Sequence, residues 1–123
     1  MELICSVCGE ILRRDARQYC CENRHSFDIA RQGHVNLLVV QQKHSLNPGD
    51  TREQVLARRA FLEAGFYAPI ADAVTEILRE LGGIGEEGIV VDAGCGDGYY
   101  LNHILDKLGC CGLGFDLSKF ATD

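Results

Sequence analysis

Apolar residues recur along this chain with changing period, and the changes mark its elements. Val55, Leu56, Phe61 and Leu62 follow Thr51, and Gln54 stands three residues after that threonine. This is the pattern of a capping box opening a helix, which weakens at Gly65. Ile70, Val74, Ile77, Leu78 and Leu81 then recur at i, i+4, i+7, i+8 and i+11, with Pro69 suited to a first turn and Gly82-Gly83 to an end. A short apolar run, Ile89 to Val91, reads as a buried strand, and Leu101, Ile104, Leu105 and Leu108 give a third helical face. Residues 110–115 read as a second strand. Upstream, Phe27, Ile29, Val35 and Leu37 to Val40 supply strand, turn and loop, with Gly33 at a turn and Asn47-Pro48-Gly49-Asp50 as a breaker.

At 123 residues the chain holds one domain or two very small ones. No run is long or apolar enough to span a membrane and no signal peptide opens the chain, so a cytoplasmic location and no membrane partner are expected. Charge is uneven: residues 1–59 carry nine Lys/Arg and seven Asp/Glu, a balance of +2, whereas residues 60–123 carry three and eleven, a balance of −8. Any contact with nucleic acid is therefore expected from the first half. The seven cysteines are an odd number without secretory context, which favours metal ligands and buried thiols over disulfides.

The first half arranges four of its residues as a metal site would. Cys5-x2-Cys8 is followed by Gly9, and then come Cys20, Cys21 and His25. Cys5, Cys8, Cys21 and His25 make a closed set of three sulfurs and one nitrogen, suited to a structural Zn2+. The spacing admits Cys20 in place of Cys21. A segment this short buries too little apolar surface to fold unaided, so the metal is its main source of stability. A redox C-x-x-C would need to open a helix in a βαβ unit, and that context is missing.

The second half is organised around Asp92-x-Gly94-x-Gly96-x-Gly98, set between a strand and a helix. Such glycines let backbone approach a ligand, and the helix start offers unpaired N–H groups. Tyr99 occupies the third glycine position of the dinucleotide fingerprint, and no P-loop is present. The stretch looks like motif I of the Rossmann-like S-adenosylmethionine (SAM) methyltransferases. Asp116, at the end of the second strand, is the acid expected to take the ribose hydroxyls. Cys95 reads as a small buried residue and Asp92 as one that orders the loop or its ligand.

Taken together, the chain resembles the bacterial 23S rRNA guanine-N1 methyltransferases. The residues that carry this are the Cys5, Cys8, Cys21, His25 knuckle, the stretch His25 to Leu38, Pro48-Gly49-Asp50, Ala57 to Leu62, Gly65-Phe66-Tyr67 and the Asp92 to Tyr100 loop. His34 departs from it, standing where tyrosine is expected. The resemblance implies a zinc domain that helps recognise a 23S rRNA hairpin, joined to a Rossmann-like domain that moves a methyl group from SAM to guanine N1. It implies a SAM site made by Tyr67, Asp92, Gly94, Gly96, Gly98, Tyr99, Tyr100 and Asp116. No residue is assigned as the catalytic base.

The fold expected is α/β: a zinc-ribbon-like domain over 1–46, a helical linker region over 47–84, and the first β-α-β unit of a Rossmann-like SAM domain over 85–123. The sequence ends seven residues after Asp116. On this reading it is a truncated form or fragment that does not methylate alone, with room for a homodimer or a second chain completing the methyltransferase domain. The rival is a non-catalytic, zinc-dependent module binding RNA or protein.

Overall fold

The computed structural model describes residues 2–39, 48–82, 84 and 88–121. The sequence expectations for Val40, Asn47 and Gly83 fall outside them. The chain divides into two compact units, Met1–Pro48 and Gly49–Asp123.

The first unit is built on β-structure with almost no apolar core. Strands β1 (Arg13–Arg14), β2 (Gln18–Cys20) and β3 (Ser26–Asp28) form an antiparallel sheet in that order. Ile4 bridges Ile11, and Ile29 bridges Val35 around the Gly33 turn. Among the described residues its buried centre is Cys5, Leu12 and Cys21, with Leu3, Tyr19, Phe27 and Leu37 packed against it. Two of those three are cysteines, so apolar burial alone holds this unit weakly.

The second unit opens on α1 (Arg52–Glu63). The Gln54 N–H donates to Thr51 Oγ1 at 3.3 Å and the Thr51 N–H to Gln54 Oε1 at 2.8 Å, the reciprocal cap expected from the sequence. Helix α2 (Ala68–Leu81) carries Pro69 in its first turn and ends at Gly82, whose φ is 70°. Strand β4 (Ile89–Ala93), helix α3 (Tyr99–Leu108) and strand β5 (Cys111–Phe115) make a parallel βαβ unit, with Ile89 opposite Cys111 and Ala93 opposite Phe115. α1 and α2 belong to the same unit as this βαβ.

Helix α3 covers one face of the strand pair. Leu101 and Leu105 press onto Gly112, where an added Cβ would meet Leu105 Cδ1 at 2.7 Å. The other face stays open, and here the expectation of a buried strand is corrected. Ile89, Val91 and Phe115 are about half exposed because α3 covers the opposite side, and no described element covers theirs.

The apolar stripe read on α2 has a similar fate. Ala71 and Thr75 are its buried residues, while Ile70, Val74, Ile77 and Leu81 face outward. Small residues let α2 lie close to α3, and the Thr75 hydroxyl is satisfied by the Ala71 carbonyl at 2.7 Å. His103 on α3 meets Asp72 on α2, with Nε2 and Oδ1 2.8 Å apart.

Candidate metal centre and cofactor loop

Two tight turns build the metal centre. In the first, the Cys5 N–H donates to Glu10 O at 2.7 Å and the Gly9 N–H to Cys5 O at 2.8 Å, which places Cys5 and Cys8 on one side. In the second, the Arg24 N–H donates to Cys21 O at 3.0 Å and the Cys21 N–H to His25 O at 3.1 Å. Each turn needs a left-handed residue: Gly9 has φ 78° and Arg24 has φ 66°. Glycine adopts that conformation freely, whereas arginine does so against a steric cost.

The ligand atoms of Cys5, Cys8, Cys21 and His25 all lie within 4.8 Å of one another. Cys8 Sγ is 3.7 Å from Cys21 Sγ, and His25 Nδ1 is 3.6 Å from Cys5 Sγ and 3.4 Å from Cys21 Sγ. Zinc bonds of about 2.3 Å to sulfur and about 2.0 Å to nitrogen give tetrahedral edges of about 3.8 Å and about 3.5 Å. The observed separations match those edges, so the donor set fits a closed zinc site with Nδ1 as the nitrogen ligand. Cys21 is the residue in the cluster. Cys20, in β2, is not.

Asn23 was not singled out by the spacing. Its side chain hydrogen-bonds to Cys8, and this contact is the largest cause that lowers the Cys8 thiol to about 6, followed by the Glu10 backbone. A lowered thiol favours the thiolate that a metal requires. The signal available in the sequence was an asparagine inside the Cys21-x3-His25 turn.

The glycine loop of the second unit is defined from both sides. Gly94, Gly96 and Gly98 have φ values of 81°, 56° and 81°, so all three are left-handed. The Gly94 and Cys95 amides donate to the Phe115 carbonyl at 2.8 and 3.1 Å, which ties the loop to the end of β5. One residue further, Asp116 Oδ2 accepts the Gly96 amide at 3.0 Å and Oδ1 accepts the Ser118 amide at 2.7 Å. Each oxygen retains a lone pair for a ligand hydroxyl.

Gly114 is required by close approach, since an added Cβ would meet Cys95 Sγ at 2.8 Å. The Cys95 thiol is pushed up by burial first, then by the charges of Asp92, Asp116 and Asp97. It is therefore a poor nucleophile, in line with its reading as a small packing residue.

Tyr67 precedes α2 and meets the Phe61 ring edge-on at 5.0 Å, while Phe66 stacks on Phe61 at the same distance. Tyr99 and Tyr100 meet edge-on at 5.2 Å. Burial, then the neighbouring Tyr67 and Tyr99 phenols, push the Tyr100 hydroxyl up. The structure thus gathers the three tyrosines singled out in the sequence.

Three further residues of this region make contacts that the sequence did not assign to them. Ser118 is almost fully buried, and its hydroxyl donates to Asp50 O at 2.7 Å. Gly49 lies so close that an added Cβ would sit 2.5 Å from the Ser118 nitrogen, which explains the Pro48-Gly49-Asp50 turn. Arg59 donates through Nε to Asp97 Oδ2 at 3.2 Å.

Comparison with known proteins agrees with the metal centre. Residues 3–46 match the family described as RlmA, N-terminal, a zinc ribbon. The chain is 40% identical over 121 residues to the 23S rRNA (guanine(748)-N(1))-methyltransferase of Streptomyces fradiae, covering 98% of this chain and 42% of that protein. It is 43% identical over 134 residues to a Micromonospora griseorubida protein with the provisional name 23S rRNA (guanine-N(1)-)-methyltransferase, covering 95% and 44%. A Bacillus subtilis (strain 168) protein with the same provisional activity is 33% identical over 106 residues, covering 81% and 36%.

Over nearly its whole length the chain is similar to members of this methyltransferase family. It spans less than half the length of the curated relatives it matches. Within the family, the zinc ribbon corresponds to the Cys5, Cys8, Cys21, His25 unit. The described helices include none long and apolar enough to cross a membrane.

Proposed function

We infer that this chain contributes the zinc module and the start of the SAM-binding domain to a cytoplasmic enzyme that methylates guanine N1 of 23S rRNA. The observation that carries the SAM reading is the Asp116 carboxylate joined to Gly96, which sets the ribose acid and the glycine loop side by side. Bound SAM would supply an activated methyl group. This chain's residues would hold and orient it: the loop from Gly94 to Gly98 by backbone approach, Asp116 at the ribose hydroxyls, and Asp92, Tyr67, Tyr99 and Tyr100 around the rest.

In the zinc unit, Arg13, Arg14, Arg17 and Arg24 are exposed on a small rigid frame. That distribution supports contact with the phosphates of an rRNA hairpin. The metal would orient the frame and take no part in the chemistry, because four protein ligands leave no open position.

Deletion of the gene in its host tests the reading. It should remove one N1-methylguanosine from 23S rRNA, read by mass spectrometry of nuclease fragments, and re-expression should restore it. Unchanged methylation would overturn the enzymatic reading.

A further inference from the structure

The three left-handed glycines that let the loop approach a ligand also leave three of its positions without side chains. Its order must come from its remaining side chains and from the segments around it. Asp116 anchors it at Gly96. A second anchor lies at the other end. Asp97, between Gly96 and Gly98, accepts the Tyr99 amide through Oδ1 at 3.3 Å and the Arg59 Nε–H through Oδ2 at 3.2 Å. One carboxylate is therefore shared between the first residue of α3 and a side chain of α1.

The Asp97 side chain is 15% exposed and the Arg59 side chain 35%. Asp92, Asp97 and Asp116 all act electrostatically on Cys95, so three negative charges converge on the loop. Arg59 is a cation paired with it, through Asp97. Loss of that guanidinium would leave a largely buried carboxylate unpaired beside two others, a costly arrangement.

We propose that Arg59 is a positioning residue, which holds the glycine loop through Asp97 in the shape that takes SAM and thereby joins α1 to the cofactor site. The SAM part rests on the function proposed above; the hold on the loop does not. Arg52, Val55, Leu56 and Arg59 share a face of α1 and, with Phe120, line a cavity of about 160 Å³. Arg59 thus stands between the loop and open space rather than in a packed core. Its guanidinium presents Nε and both terminal nitrogens in one fixed plane, which lysine does not reproduce.

The test uses the 15N-labelled, zinc-loaded 123-residue chain and the variants Arg59→Gln, Arg59→Lys, Asp97→Asn and Arg59→Gln/Asp97→Asn. Arg79→Gln, which breaks the exposed pair with Glu76, is the control. Amide exchange at Gly96 and Tyr99 and the affinity for S-adenosylhomocysteine are read together. In Arg59→Gln, exchange at Tyr99 should rise about tenfold and affinity fall about tenfold, while α2 amides stay unchanged. Arg59→Lys should recover only part of either. Starting from Asp97→Asn, the added Arg59→Gln change should alter both readouts by less than about twofold.

Unchanged Tyr99 exchange in Arg59→Gln would overturn the proposal. So would an equal effect with and without Asp97, or an equal loosening of α2. A chain that binds no S-adenosylhomocysteine but loosens at Tyr99 would support Arg59's hold on the loop and sink the SAM reading instead.

Discussion

The Gly96 amide donates to Asp116 Oδ2 at 3.0 Å, linking the middle of the glycine loop to the residue that follows β5. The other oxygen of that carboxylate takes the Ser118 amide at 2.7 Å. Asp116 therefore orders the loop before any ribose arrives. Asp116→Ala should leave both amides without their acceptor and cost the second unit about 1–3 kcal/mol. Asp116→Asn retains one acceptor oxygen and should cost less. Urea unfolding followed at residues of α3 separates the two.

A zinc chelator should unfold the first unit and spare the second. The first unit's buried centre is Cys5, Leu12 and Cys21, so removal of the metal takes away most of what orders it. Cys21→Ser should lose zinc. Cys20→Ser should keep it, because Cys20 lies in β2 outside the cluster. Metal content by atomic spectroscopy checks both, with NMR line positions of α1 to α3 as the internal control.

Gly114→Ala should destabilise the βαβ unit by about 1–3 kcal/mol through overpacking against Cys95. Cys95→Ala in the same chain should recover part of the loss, since it removes the sulfur 2.8 Å from the added methyl group. Equal stability of the single and double variants would show that the clash is relieved elsewhere, for example at Leu101 Cδ2.

Cys95 should alkylate slowly. Burial and three nearby carboxylates raise its thiol, so the reactive thiolate is scarcer at any given pH than in the unfolded chain. The pH midpoint for iodoacetamide labelling of Cys95, followed by peptide mass spectrometry, should lie above that of the urea-unfolded chain. Asp116→Ala should lower it.

The sequence exposes the parts of this fold that obey local rules. Thr51 and Gln54 mark the start of α1 because a capping box needs only those two residue types at that spacing. The Cys and His spacing marks the metal centre for a similar reason, although it cannot separate Cys20 from Cys21. That choice is made by the β2–β3 register, in which Cys20 pairs with Ser26 while Cys21 opens the next turn.

Contacts between distant residues were not legible. Ser118 with Asp50 and Arg59 with Asp97 are ordinary polar pairs until α1 is folded against the loop. The stripe from Ile70 to Leu81 looked like a core face, yet Ala71 and Thr75 fill the contact with α3. Helix periodicity reports an apolar side. It does not report which side a neighbouring helix takes when small residues permit closer approach.

SAM binding by this loop is tested most simply by titrating SAM into the 15N-labelled, zinc-loaded chain. Shift changes should concentrate at Tyr67, Gly94, Gly96, Gly98, Tyr99 and Asp116 and be lost in Asp116→Ala. Silence of the loop at millimolar SAM, or changes confined to residues 2–39, would contradict SAM binding there.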